Sequence, residues 1–275
     1  MLVQRTLTNS INAVGIGLHS GREISIKLLP AEEDTGIIFR RVDFSPPVEI
    51  KAIVNNVGAT TLATTLMQGE VQISTIEHML SAFAGLGIDN AIIEIDDVEV
   101  PIMDGSSSSF VFLIQSAGIK EQTKPKKFIK IKEEISVETD NGAFVKLSPY
   151  DGFKVTYSLV YDDDKHKQYS SKSTIDFNST TYLKEISRAR TFGFMEEVNM
   201  LKDKNLALGA SEKNAIAIGE DGIINEEGLR SKDEFVKHKI LDVVGDLYLL
   251  QYNIIGEFEG YKSCLLYTSP SPRDG

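Results

Sequence analysis

SKDEFVKHKILDVVGDLYLLQ, residues 231–251, reads as one long helix, and NIIGEFE, residues 253–259, reads as a strand directly after it. At about 100° per residue, Phe235 and Leu249 flank Asp242 on the helical wheel. Val236, Ile240, Leu241, Val243, Val244 and Leu247 cover the remaining arc. A helix apolar nearly all round is a buried one. His238 and Asp242 lie four residues apart and so share one face, with Asp246 a turn further along the same row. Buried His and Asp side chains need a partner or a metal ion. The competing reading makes the row the wet side of an amphipathic helix, and spacing by itself does not remove it.

Working outward, the same grammar recurs in the first half of the chain. Arg22–Leu29 alternates polar and apolar residues, and strands follow at Gly36–Val42 and Val48–Val57. Thr60–Met67 and Val71–Thr75 flank a hairpin turn at Gln68-Gly69-Glu70. A helix is expected from Ser74 to about Ala84, stopped by Gly85 and Gly87, then a strand at Asn90–Ile95 and a second helix from about Ser108 to Ala117. In the second half, strands are expected at Phe128–Val137, Phe144–Leu147 and Lys154–Tyr161, with Asp162–Lys172 an exposed loop. Both halves thus run strands, helix, strand, a trace of duplication within an α+β chain. Lys120–Lys127 (KEQTKPKK) is polar and reads as a linker. Cys264–Gly275 (CLLYTSPSPRDG) breaks the pattern, because Pro270 and Pro272 exclude the second helix that its position calls for.

The chain has 275 residues, 41% hydrophobic and 25% charged, with a formal net charge of −11. An acidic balance of that size argues against a general nucleic-acid binder. No apolar run approaches the ~20 residues of a membrane span. Met1–Ser10 lacks an apolar signal core, and one cysteine, Cys264, rules out a disulfide framework, so a cytoplasmic protein is expected.

Three further histidines are on offer. His166, in Asp-Asp-Asp-Lys-His-Lys, reads as a solvated surface residue. His19 lies in VGIGLHSG, residues 14–21, a glycine-rich turn; its Gly-x-Gly precedes a strand and so is no dinucleotide fingerprint. His78 follows Glu77 in Thr75-Ile76-Glu77-His78. Ser74 and Glu77 have the spacing of a capping box, which would make Glu77 merely a cap. Taken with His238 and Asp242, however, His78 completes a His-His-Asp set with an adjacent carboxylate, the composition of a hydrolytic metal site with one open position.

The segments VGIGLHSG (14–21), TIEH (75–78), AGLGIDN (84–90), PIMDGS (101–106), ISRARTFGF (186–194), NEEGLR (225–230), DEFVKHKILDVVGD (233–246) and NIIG (253–256) resemble, in order, the UDP-3-O-acyl-N-acetylglucosamine deacetylases of lipid A biosynthesis. The resemblance implies two similar α+β domains, each a sheet packed on helices, at 1–121 and 128–263 with 122–127 between them and the active site at their junction. It implies a zinc ion, with ferrous iron as an alternative, held by His78, His238 and Asp242, and Glu77 as general base. Thr191 and Lys239 would stabilise the oxyanion, and Asp246 would orient a catalytic histidine. His19, Phe192, Phe194 and Lys262 would meet the substrate, Lys262 at its diphosphate, and an insert at about 194–217 would line a passage for the acyl chain. The implied substrate is UDP-3-O-acyl-N-acetylglucosamine, handled by a monomer with at most transient membrane contact. The family's histidine donor, from a Gly-His-x-x-Asn-type motif after Ser263, has no counterpart in Cys264–Gly275, so impaired turnover is expected. A metal amidohydrolase for another N-acetylated sugar and a non-catalytic nucleotide-sugar binder are the competing readings. Against the first stand Phe194, Met195, Val198, Leu201, Leu206 and Leu208, which a soluble sugar would leave without a task.

Overall fold

Period-two alternation, buried on one side and wetter on the other, marks the central strands of the two largest sheets. In the computed structural model, which describes residues 2–262, the chain runs β1 (Val3–Leu7), β2 (Ile11–Ile16), β3 (Glu23–Pro30), β4 (Ile37–Arg41), β5 (Val48–Lys51), the hairpin β6 (Leu66–Gln68) and β7 (Val71–Ile73), α1 (Glu77–Leu86), β8 (Ala91–Ile95) and α2 (Ser108–Ala117). It continues through β9 (Ile119–Pro125), β10 (Phe128–Lys130), β11 (Ile135–Glu138), β12 (Phe144–Ser148), β13 (Phe153–Leu159), β14 (Ser171–Asp176), the single turn α3 (Ser179–Thr181), β15 (Phe192–Phe194), α4 (Met195–Asp203), β16 (Ile216–Gly219), β17 (Gly222–Ile223), α5 (Glu234–Leu247) and β18 (Asn253–Tyr261). The tail Cys264–Gly275 lies outside the described residues. The architecture is α+β, as expected.

One sheet has the order β2-β3-β8-β4-β5 and the other β11-β12-β18-β13-β14, with β10 added beside β18. Orientations repeat as well. The central strand, β8 or β18, is antiparallel to one neighbour (β3 or β12) and parallel to the other (β4 or β13). In each half the helix preceding the central strand, α1 or α5, packs on its counterpart. Ile24, Ile26, Phe39 and Ile93 from the first sheet and Val155, Tyr157 and Phe258 from the second join one apolar core with α1 and α5. Each such side chain taken from water stabilises by about 1.5–3 kcal/mol. No described helix is long and apolar enough to cross a membrane.

Three expectations change. The helix expected at Ser74 begins at Glu77, because Thr75 sits at φ 58° and Ser74 is paired through its main chain to Val98 and Val100. No capping box forms: Ser74 Oγ bonds the Val98 carbonyl, and Glu77 accepts instead from the Thr64 amide. The segment expected as a linker is largely strand β9, antiparallel to β1, its Thr123 and Lys124 amides held by Glu33. Polar side chains hid it, because its pairing is made by main chain. The stretch expected as loop, Asp162–Lys172, runs at Ser171 into β14, a polar edge strand of which only Ile175 is buried.

α1 runs through Gly85, one of its two expected stops, and ends at Leu86, before Gly87. Gly87 takes the left-handed conformation (φ 68°), its amide bonds the Ala84 carbonyl and the Ile88 amide reaches Phe83, which satisfies the helix's last acceptors.

Candidate metal centre

α1 and α5 can approach closely because residue 245 has no side chain: a Cβ there would stand 2.0 Å from the Glu77 carbonyl oxygen. That approach brings His78, on the first turn of α1, against His238 on α5, rings edge to face with centroids 4.9 Å apart. Asp242, one turn on from His238, places Oδ1 3.5 Å from His78 Nε2 and 3.4 Å from His238 Nε2. All three side chains are buried, and their ligand atoms lie within 4.8 Å of one another.

These separations are those of ligands sharing one ion. Two atoms each ~2.0–2.1 Å from a tetrahedral centre stand ~3.3–3.4 Å apart. His238 Nδ1 donates to the Ala189 carbonyl at 3.0 Å, which leaves Nε2 as a lone pair facing the cluster, the outer bond that fixes a ligating imidazole. Asp242 Oδ1 is buried and makes no hydrogen bond, whereas its Oδ2 is met by Lys239 Nζ at 3.3 Å. An oxygen with no donor beside two imidazoles fits a divalent cation that accepts nitrogen and oxygen.

Two more carboxyls flank this set. Glu77 Oε2 accepts from the Thr64 amide at 3.2 Å, and Asp246 Oδ1 accepts from the Thr64 hydroxyl at 2.8 Å. Burial, reinforced by the charges of Asp246 and Asp242, pushes Glu77 well above the usual carboxylate range. Burial pushes Asp246 up to about 7, against the Thr64 hydroxyl, which lowers it. Asp242 goes the other way: burial would raise it, but His238, Lys239 and His78 together hold it below its ordinary value. Burial brings His238 down to about 4, opposed by Asp242 and helped by His78 and Lys239. The site thus separates its carboxyls, Asp242 drawn below its ordinary value among the imidazoles and Glu77 and Asp246 pushed above theirs.

The remaining expected residues divide by location. Phe192 turns its ring toward His238 (centroids 6.1 Å apart), and Lys239 Nζ stands 5.5 Å over that ring. Thr191 is fixed through its main chain, its amide on the Gly105 carbonyl and its carbonyl on the Ile216 amide. Phe194, two positions on, packs instead with His166, Tyr161 and Tyr169. His166 is therefore no solvated residue: its ring lies 3.9 Å from that of Phe194 and its Nδ1 2.8 Å from Asp163. Lys262 pairs with Asp162 on the exposed surface. His19 is held by its amide to Glu99, with both ring nitrogens buried and unbonded, and burial lowers its pKa against the pull of Glu99.

No sequence pattern marks Thr64, which serves two carboxyls at once, nor the Ala189 carbonyl behind His238. Arg190 and Glu234, both fully buried, form an ion pair that ties the approach to β15 to the first turn of α5. Only their burial, not their identity, marks them.

A family model described as UDP-3-O-acyl N-acetylglycosamine deacetylase matches residues 4–265. Among curated proteins, the UDP-3-O-acyl-N-acetylglucosamine deacetylase of Pseudomonas entomophila is 57% identical over 263 residues, 96% of this chain and 86% of the relative. The protein of the same name from Cellvibrio japonicus is 53% identical over 263 residues, with the same coverage. The chain belongs to the UDP-3-O-acyl-N-acetylglucosamine deacetylase family.

Proposed function

We propose that this metal-dependent deacetylase hydrolyses the acetamide of UDP-3-O-acyl-N-acetylglucosamine, releasing acetate, as a step of lipid A synthesis in the cytoplasm. The observation that carries the reading is the convergence of His78 Nε2, His238 Nε2 and Asp242 Oδ1 beside the buried Glu77. Zinc is the proposed ion, with ferrous iron suiting the same donors. When bound, such a cation supplies Lewis acidity toward water and the amide carbonyl. Glu77 takes the proton of the attacking water, a task suited to a carboxyl whose pKa burial has raised. Thr191 and Lys239 stabilise negative charge developing on the carbonyl oxygen, Lys239 being already fixed beside Asp242 and Phe192. Asp246 stands at the position that in the family orients a histidine proton donor. His19, Phe192, Phe194 and Lys262 line the substrate's path, and the insert at 194–217 holds its acyl chain. The repeated strand order supports two domains, 1–121 and 128–263, with the site where α1 meets α5.

Metal analysis beside deacetylation of the acylated substrate tests the reading. Wild type holds about one equivalent of metal and His238→Ala loses it together with activity. Equal metal content in the two proteins removes the proposed site.

A further inference from the structure

Glu99 lies outside every role described so far, yet it is a carboxylate only 1% exposed and it gathers three donors. Oε1 accepts the His19 amide at 2.9 Å and the Thr75 hydroxyl at 3.2 Å, and Oε2 accepts the Ser20 amide at 3.0 Å. Gly17 is pressed against it as well, since a Cβ there would stand 2.5 Å from Glu99 Oε2. One side chain therefore pins both the loop that carries His19 and the left-handed Thr75 that leads into Glu77 and His78.

The pinned loop in turn holds the insert. The Leu208 amide donates to the His19 carbonyl at 3.2 Å and the Gly209 amide to the Leu18 carbonyl at 3.0 Å. Gly209 leaves no room for a Cβ, which would stand 2.2 Å from the Gly17 carbonyl oxygen. α4, the insert's only helix, has no buried residue of its own; in the segment after it Ala207 is buried and the Gly209 carbonyl accepts from Asn214 within the insert, while the Leu208 and Gly209 amides fasten the segment to the His19 loop. We infer that Glu99 is a positioning residue that sets the wall between the His19 loop and the insert, and through it the enzyme's preference for an acylated over an unacylated UDP-N-acetylglucosamine. The inference rests on the acyl-passage reading above. Glu99 acts through the His19 and Ser20 amides and the Thr75 hydroxyl.

Glu99→Gln tests it, because the amide keeps the shape but turns an NH2 group toward amides that need an acceptor. Glu99→Asp keeps both acceptor oxygens on a shorter arm. The expected result has two parts. In Glu99→Gln the Leu208 and Gly209 amides exchange about tenfold faster while those of α5 are unchanged, the scale of one lost hydrogen bond to a charged group. The ratio of kcat/KM for acylated to unacylated substrate falls by about the same factor, through KM. Glu99→Asp restores most of both. Unchanged exchange at Leu208 and Gly209, or an equal loss on both substrates with α5 exchange also raised, overturns the role. A wild type with no preference for the acylated substrate instead overturns the functional reading, while the exchange measurement still decides whether Glu99 holds the insert.

Discussion

At the scale of single residues, the site works by giving like groups unlike surroundings. Glu77 contributes nothing to the ligand trio, so replacing it separates proton transfer from metal binding. Glu77→Gln should lower kcat by about 10²–10⁴ with metal content unchanged, measured on one preparation by turnover and by metal analysis. Thr64 offers a second separation, because its amide serves Glu77 and its hydroxyl serves Asp246. Thr64→Val keeps the shape and the amide but leaves Asp246 buried without its donor. A loss of about 1–3 kcal/mol in urea unfolding is expected, with Thr64→Ser recovering most of it. Equal stability of the valine and serine variants would show that the hydroxyl contributes nothing there.

At the scale of elements, the pairing of α1 with α5 is what converts two distant stretches into one site. Gly245→Ala places a methyl group against the Glu77 carbonyl and has no flexible neighbour to displace. The helices must part, and overpacking of that kind costs about 1–3 kcal/mol. Since His78 sits on one helix and His238 and Asp242 on the other, metal affinity should fall along with the melting temperature. A variant of normal metal affinity and lowered melting temperature would mean that the ligands tolerate the shift. The same pairing marks how far the sequence could be read. His238 and Asp242 were legible because four-residue spacing on an apolar helix is a local fact. His78 was legible only by completing their set, since locally Ser74 and Glu77 made an equally good cap. What excluded the cap was the left-handed Thr75, held by Glu99 from another segment, and no local pattern encodes that. β9 and β14 escaped for a related reason: their own side chains are mostly polar, and β9 pairs with β1, far away along the sequence.

For the whole molecule, the two halves are joined by charge as well as by core. Asp104, from the turn before α2, accepts from Arg230 at 2.8 Å and from the hydroxyls of Ser106, Ser108 and Ser109, while Arg230 also bonds the Arg188 carbonyl. The neighbouring Gly105 carbonyl receives the Thr191 amide, so this clamp borders the site. Burial alone would raise the Asp104 pKa; Arg230 and the serines outweigh it and hold the carboxyl below its ordinary value. For a carboxyl depressed in the folded state, the stabilisation is present above the unfolded pKa, about 3.9, and is lost as pH falls through the folded value. The stability difference between wild type and Asp104→Asn should therefore stay constant from pH 8 to about 5 and shrink below that, read from urea unfolding at each pH. Raising the salt concentration should reduce the share that comes from Arg230, because that residue is exposed and its attraction to Asp104 is screened, and should leave the share from the serine hydroxyls in place. A difference that grew on acidification would reverse the sign argued here and place the ionised form of Asp104 on the destabilising side.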